Sequence, residues 1–180
     1  FLNAKVLPAL AVLCEQRIGL RVRFGLPDDL ITSVSDGSLD LAVATRRVRR
    51  RGVEYESLAH ETFVLVGVPR WAAAIVGGDR GGVDVTSLAD VPLIAYSEEL
   101  PVTERYYREV FGADVPEPAV LVPDLRSVVA VALAGAGIAA VPRYLCEQQL
   151  ARRELIEIAR PRNAPTNEIW SVAGSTTTVG

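Results

Sequence analysis

Residues 133–142, LAGAGIAAVP, set two closely spaced glycines between an apolar run of helix formers and an uncharged run that ends at proline. Glycine reaches the left-handed conformation that closes a helix at no steric cost. Gly135 and Gly137 therefore predict a sharp helix stop. The small and apolar residues after them predict a strand covered on both faces, ending at Pro142. A shorter echo, DGSLDLAVA at residues 36–44, repeats the pattern with Gly37. Two such units about a hundred residues apart predict two similar α/β lobes, a layout suited to holding a small molecule.

The chain has 180 residues, enough to bury roughly 70% of its unfolded surface without disulfides or a metal. Apolar residues make up 49% and charged residues 23%, which excludes a disordered chain. A net charge of −3 gives no overall basic field for nucleic acid. No apolar run reaches the ~18 residues of a membrane span, and the start has no signal-type pattern. The chain begins at Phe1, which reads as a piece of a longer protein. Cys14 and Cys146, both in predicted helices, read as buried structural thiols in a reduced, intracellular setting.

Catalysis finds little support. His60 is the only histidine, and there is no G-x-S-x-G elbow for a nucleophile. Two distant cysteines and one histidine cannot form a zinc set. The glycines of GGDRGG (77–82) lack the Lys and Ser/Thr of a phosphate loop. Glu98, Glu99 and Asp124 are carboxylates whose spacing specifies no acid–base pair. No catalytic residue, metal or cofactor is expected.

Along the chain, Leu2, Val6, Leu10 and Leu13 recur at helical spacing, with Asn3 available as a cap and Pro8 confined to the first turns. LRVRFGLP (20–27) alternates as a strand. Asp28 and Asp29 open a helix closed by Gly37, and LDLAVA follows as a buried strand. A basic loop fills 46–52. VEYESLAHETFVLVGVP then reads as two strands, followed by short helices near Trp71–Val76 and Asp84–Ala89. PLIAYSEELP is extended and taken as the first crossing between lobes. TERYYREVFG begins with a Thr103 cap, PAVLVPDL is a strand, and Asp124 or Ser127 caps the helix that leads to the two glycines. RYLCEQQLARRELIEI reads as one half-buried helix, and EIWSVAGS (168–175) as a closing strand.

Taken together, FLNAKVLPALAVL, DGSLDLAVA, FVLVGVP, PLIAYSEELP and, above all, Asp124 followed by a helix, LAGAGIAAVP and EIWSVAGS resemble the effector-binding domain of LysR-type transcriptional regulators. The resemblance covers nearly all 180 residues. It implies an α/β fold of two Rossmann-like lobes joined by two hinge crossovers, like type 2 periplasmic binding proteins. Lobe I is then 1–95 with 168–180, and lobe II is 96–167. It further implies a cytoplasmic, non-catalytic sensor of a small-molecule effector, homodimeric here and tetrameric at full length. DNA is reached only through an N-terminal winged helix-turn-helix outside these residues. A solute-binding protein of a transporter is the alternative with the same fold.

In such folds ligands meet the carboxyl ends of parallel strands and the helix N-termini beside them. That rule, with the resemblance, selects Pro27, Asp28, Thr45, Arg46, Tyr96, Ser97, Glu98, Thr103, Pro123, Asp124, Leu125, Arg126 and Ser127. Thr45 and Ser97 offer hydroxyl donors. Thr103 and Ser127 either meet ligand or cap their own helices, and Tyr96 either packs the hinge or walls the cleft. Arg46 either grips a carboxylate or belongs to a solvated basic loop. Glu98 and Asp124 disfavour an anion if they face the ligand. The resemblance places a dimer interface on the opening helix and LRVRFGLP, with Val6, Leu10, Leu13 and Val22; the three helix residues could equally be core.

Overall fold

Both helix–glycine–strand units form as the sequence requires. In the computed structural model, which describes residues 1–77, 82–83, 85–97 and 101–175, the helices in chain order are α1 (Leu7–Glu15), α2 (Pro27–Ser35), α3 (Pro69–Ile75), α4 (Val85–Leu88), α5 (Pro101–Tyr106), α6 (Leu125–Leu133) and α7 (Glu147–Ala151). The strands are β1 (Leu41–Ala44), β2 (Val53–Gly67), β3 (Val76–Gly77), β4 (Gly82–Val83), β5 (Ile94–Ala95), β6 (Val120–Leu121), β7 (Ala139–Pro142), β8 (Ile156–Glu157) and β9 (Thr166–Gly174). Helix α6 ends in a Schellman arrangement: Gly135 is left-handed at φ 84°, its amide reaches the Ala132 carbonyl, and the Ala136 amide reaches Val131. Gly37, at φ 79°, does the same service after α2.

The chain forms two units, Phe1–His60 with Asn167–Gly180 and Glu61–Thr166, so it passes between them twice. Residues 61–95, grouped with the first lobe on sequence grounds, cluster with the second unit. The reason is strand pairing: Phe63 to Val66 of β2 run antiparallel to Pro142 to Ala139 of β7.

In the first unit β1 pairs antiparallel with β9, from Leu41↔Ala173 to Ala44↔Trp170. Ile31, Val34, Ala42, Ala44 and Val172 form its core. Several expectations are corrected here. The opening helix starts as a π turn over Leu2–Val6 with Phe1 in the capping position, so Asn3 caps nothing, and Pro8 sits at the start of α1. Residues 20–26 form no strand. Their alternation is real, but Leu20, Val22, Phe24 and Leu26 are all exposed, Phe24 by 76% and Leu26 by 71%, and no ladder holds the segment. Cys14 is exposed, not buried. VEYESLAHETFVLVG is one strand, not two. Its pattern changes from mostly exposed over 53–60 to almost fully buried over 61–67, and that change of surroundings imitates a break.

In the second unit β5 and β6 are parallel, with Ile94↔Val120 and Ala95↔Leu121. A parallel bridge, Leu93↔Ile138, joins β5 to the start of β7, and β8 pairs antiparallel with the end of β2. The four residues of β7 are all buried, as the sequence predicts. Two apolar clusters pack around this sheet, one with Leu65, Tyr106 and Ile138 and the other with Val66, Ile94 and Val128. The helix expected over RYLCEQQLARRELIEI is broken into a 3-10 turn at Arg143–Leu145, α7, a left-handed Arg153 at φ 59° and strand β8. Its apolar spacing arises because Cys146, Leu150 and Leu155 reach one cluster from separate elements. Helix α5 begins at Pro101, which needs no amide partner there, so Thr103 lies inside the helix and does not cap it.

Gly137 has no room for a side chain, because a Cβ there meets the Pro92 carbonyl oxygen at 2.0 Å. Gly137→Ala is expected to cost about 3 kcal/mol by forcing the backbone apart. Gly112→Ala, at φ 61° in open space, should cost only about 1 kcal/mol of left-handed strain. Urea denaturation of the two variants checks the contrast.

Candidate functional site

Parallel pairing brings the second unit's candidates together. Because β5 and β6 run side by side, with the Val122 amide 3.0 Å from the Ala95 carbonyl, Tyr96 and Ser97 emerge beside Val122 and Pro123. The chain after β6 turns directly into α6. Tyr96 is half-buried and packs on the second apolar cluster; Ser97 is half-buried as well. Pro123, Arg126 and Ser127 are exposed, and Leu125 is half-buried. Thr103 is only 2% exposed. Glu98 lies outside the described residues.

Asp124 is the N-cap of α6. Its Oδ2 accepts from the Ser127 amide and hydroxyl, each at 3.2 Å, and its Oδ1 accepts from Arg126 Nε at 3.3 Å. Desolvation, the largest single influence, raises its pKa, but Arg126 and the two Ser127 donors together outweigh it and hold the carboxyl below its usual value. The capping reading therefore accounts for Asp124 and for the Ser127 hydroxyl. Leu125 and Arg126, the first two residues of α6, keep backbone N–H groups with no intrahelical acceptor, and the positive end of the helix dipole lies there.

The first unit gathers a second set. Pro27 and Asp28 begin α2, Thr45 and Arg46 follow β1, and Arg46 donates to the Asp28 carboxylate. Both partners are more than half exposed, so the pair adds little stability; what it does is cancel two charges at this strand end. Thr45 is exposed beside them.

Other groups considered for chemistry fall elsewhere. His60 is exposed, with Nε2 3.8 Å from Glu168. Burial pushes the Cys146 thiol up to about 11, so it is a protonated packing residue at neutral pH. Burial likewise pushes the Tyr107 hydroxyl up to about 12. Among the described residues no group of three or more His, Cys, Asp or Glu could hold a metal, and no helix is long and apolar enough to cross a membrane. Sequence reasoning missed the aromatic support of the basic loop: Arg47 lies over Trp170 at 4.8 Å and over Tyr55 at 5.4 Å. The sequence carried only part of the signal: Tyr55 stands four residues after the last of the five arginines, while Trp170 lies more than a hundred positions away.

Parallel strand ends beside the N-terminus of α6 make an α/β arrangement of the kind in which ligands bind. The LysR substrate-binding domain family model matches residues 1–176, and the chain belongs to that family. The HTH-type transcriptional regulator AbaB of Streptomyces antibioticus is 36% identical over 176 residues, covering 96% of this chain and 58% of that protein. The chain thus spans about three fifths of that curated relative. Among solved structures, the C-terminal domains of a LysR family protein from Agrobacterium tumefaciens match with a TM-score of 0.78 at 20% identity, over 93% of this chain and 80% of that one. Full-length LysG from Corynebacterium glutamicum with bound effector Arg matches with a TM-score of 0.71 at 15% identity, over 93% of this chain and 56% of that one. The fold is the periplasmic-binding-protein-like α/β fold of LysR regulatory domains.

Removing the cap should be felt in stability. Asp124→Ala is expected to cost about 1 kcal/mol and Asp124→Asn less. The folded pKa of Asp124 lies below its unfolded value. Its carboxylate therefore contributes fully above about pH 4, and the contribution is lost as pH falls through the lower folded value. The gap between the wild type and Asp124→Asn should close in acid, as urea melts at neutral pH and at about pH 3 will show.

Proposed function

We propose that this chain is the effector-sensing part of a DNA-binding transcriptional regulator, reporting a bound small molecule without transforming it. The reading rests on one observation above the others: two parallel strand ends, at Tyr96–Ser97 and Val122–Pro123, open beside the N-terminus of α6. Free amides and a serine hydroxyl there can donate to a carboxylate or carbonyl oxygen. Thr45, with Pro27, Asp28 and Arg46, is the corresponding ligand-contact set of the first unit, and Glu98, Thr103 and Pro123 to Ser127 complete that of the second.

The described carboxylates at these strand ends are each matched by an arginine, Asp28 by Arg46 and Asp124 by Arg126. An anionic or zwitterionic effector is therefore admissible there. Family membership and the AbaB likeness disfavour the transporter alternative. The regulator acts in the cytoplasm, and DNA contact belongs to a winged helix-turn-helix outside these residues. Binding shifts the domain only by its differential affinity for two arrangements.

A thermal-shift screen of small carboxylates, amino acids and aromatic acids tests the reading. A true effector at a hundredfold its dissociation constant adds about 2.7 kcal/mol, a rise of about 5–10 °C for a chain of this size. Ser97→Ala and Thr45→Val should each weaken binding by about tenfold, since each removes a hydrogen bond of about 1.5 kcal/mol. Conversion of the hit into product, or binding indifferent to both substitutions, overturns the proposal.

The homodimer is proposed to form through Val6, Leu10 and Leu13, all half-buried, and through Val22, which is 46% exposed. Leu10→Asp with Val22→Asp should convert a dimer to a monomer in sedimentation velocity and leave the circular dichroism spectrum unchanged.

A further inference from the structure

Five of the six residues from Arg46 to Arg51 are arginine, in a chain whose overall charge is negative. Only Arg46 among them has a carboxylate within salt-bridge distance among the described residues, namely Asp28. Asp36 feels the charge of Arg50, but its carboxylate is already engaged by the Ser38 amide at 2.9 Å. Four guanidinium groups are thus left to repel one another, a cost that a bound anion removes.

The loop is nevertheless held in place. The Val48 amide donates to the Tyr55 hydroxyl at 3.0 Å, and that hydroxyl donates back to the Val48 carbonyl at 2.8 Å. Ser35 Oγ donates to the Arg51 carbonyl at 3.0 Å, and the Ser175 amide to the Gly52 carbonyl at 2.9 Å. Arg47 is stacked against Tyr55 and Trp170. A like-charged loop tied down at four points is preorganised, so a ligand meets little ordering cost on binding there.

Arg47, Arg49, Arg50 and Arg51 line one cavity of about 690 Å³, floored by Val48, Val53 and Tyr55. No carboxylate lines it. The volume lies within the range of small-molecule pockets, about 300–1,000 Å³. Guanidinium forks match phosphate oxygens in paired hydrogen bonds, and several forks around one basin suit several linked phosphates better than a single one. We propose that the arginine loop 47–51 of the first unit is an accessory site for a small molecule carrying two or more linked phosphate groups, separate from the strand-end residues proposed to bind the effector.

The test titrates the 180-residue chain with inorganic tripolyphosphate by isothermal calorimetry, with orthophosphate and a short DNA duplex as parallel arms. The expected result is saturable binding of tripolyphosphate at one site per chain and binding of orthophosphate at least about tenfold weaker, with affinity falling steeply as salt is raised, as the charge contacts require. Arg49→Gln, Arg50→Gln and Arg51→Gln combined should weaken tripolyphosphate binding at least about tenfold, since charge-assisted bonds are the strong ones. Arg47 is left intact so that the stack on Trp170 survives. An unchanged melting curve shows that the triple variant is folded, and Arg49→Lys, Arg50→Lys and Arg51→Lys should restore part of the affinity. Ser97→Ala should leave it unchanged, which separates this site from the effector reading. Absence of saturable binding, equal affinity for orthophosphate, tighter binding of the duplex than of tripolyphosphate, or binding that survives the glutamine variant overturns the proposal.

Discussion

The carbonyl oxygen of Pro92 is the point on which the second unit turns. It accepts the Ile138 amide at 2.8 Å, the Ile94 amide returns the bond to the Ile138 carbonyl at 2.8 Å, and Gly137 lets the two chains approach that closely. This exchange ties β5, and with it β6, to β7 and so to β2. Without it the ends of β5 and β6 lose their fixed place beside α6. The glycine that ends a helix and the glycine that admits a neighbour thus lie two residues apart, and both act on the geometry of the candidate site.

On the proposed function, the paired acidic residues at these strand ends need not repel an anion. Asp124 spends its carboxylate on the Ser127 amide, the Ser127 hydroxyl and Arg126, and Asp28 spends its own on Arg46. The further donors of the proposed site are uncharged: backbone amides at the start of α6 and the Thr45 and Ser97 hydroxyls. Such donors carry a smaller desolvation cost than an ion when a ligand covers them. They also discriminate by geometry, because an unmade hydrogen bond to a buried ligand is expensive.

Most helices and strands of both units were legible in the sequence because each is bounded by a local signal. Pro27, Gly37, Asp124, Gly135 and Pro142 each act within a few residues of their own position. Signals that depend on distant partners were misread. LRVRFGLP alternates as a strand does, yet alternation alone forms no strand without a neighbouring ladder. The Arg143–Ile158 region carries helical spacing, yet Arg153 takes a left-handed turn and Ile156–Glu157 pairs with β2. The candidate site divides the same way. Asp124 as a cap follows from four consecutive residues, whereas the pairing of Arg46 with Asp28 needs α2 and β1 to be placed, and the Tyr55–Trp170 support of the arginine loop joins residues more than a hundred positions apart.

The two units also differ in how they are held together. The second surrounds its sheet with two buried clusters, while the first has a single cluster of five buried residues, and none of residues 1–26 is buried. Over that stretch Val12, Ile18, Leu20, Val22, Phe24 and Leu26 stay exposed. Fully burying a side chain such as Phe24 or Leu26 is worth about 1.5–3 kcal/mol, so the segment forgoes several times the net worth of a surface ion pair. Several large apolar side chains left in water on one segment are what a partner surface would cover. The proposed self-association thus answers to the same deficit that leaves LRVRFGLP without a ladder. Covering these side chains would add apolar contact to the unit with the smaller core.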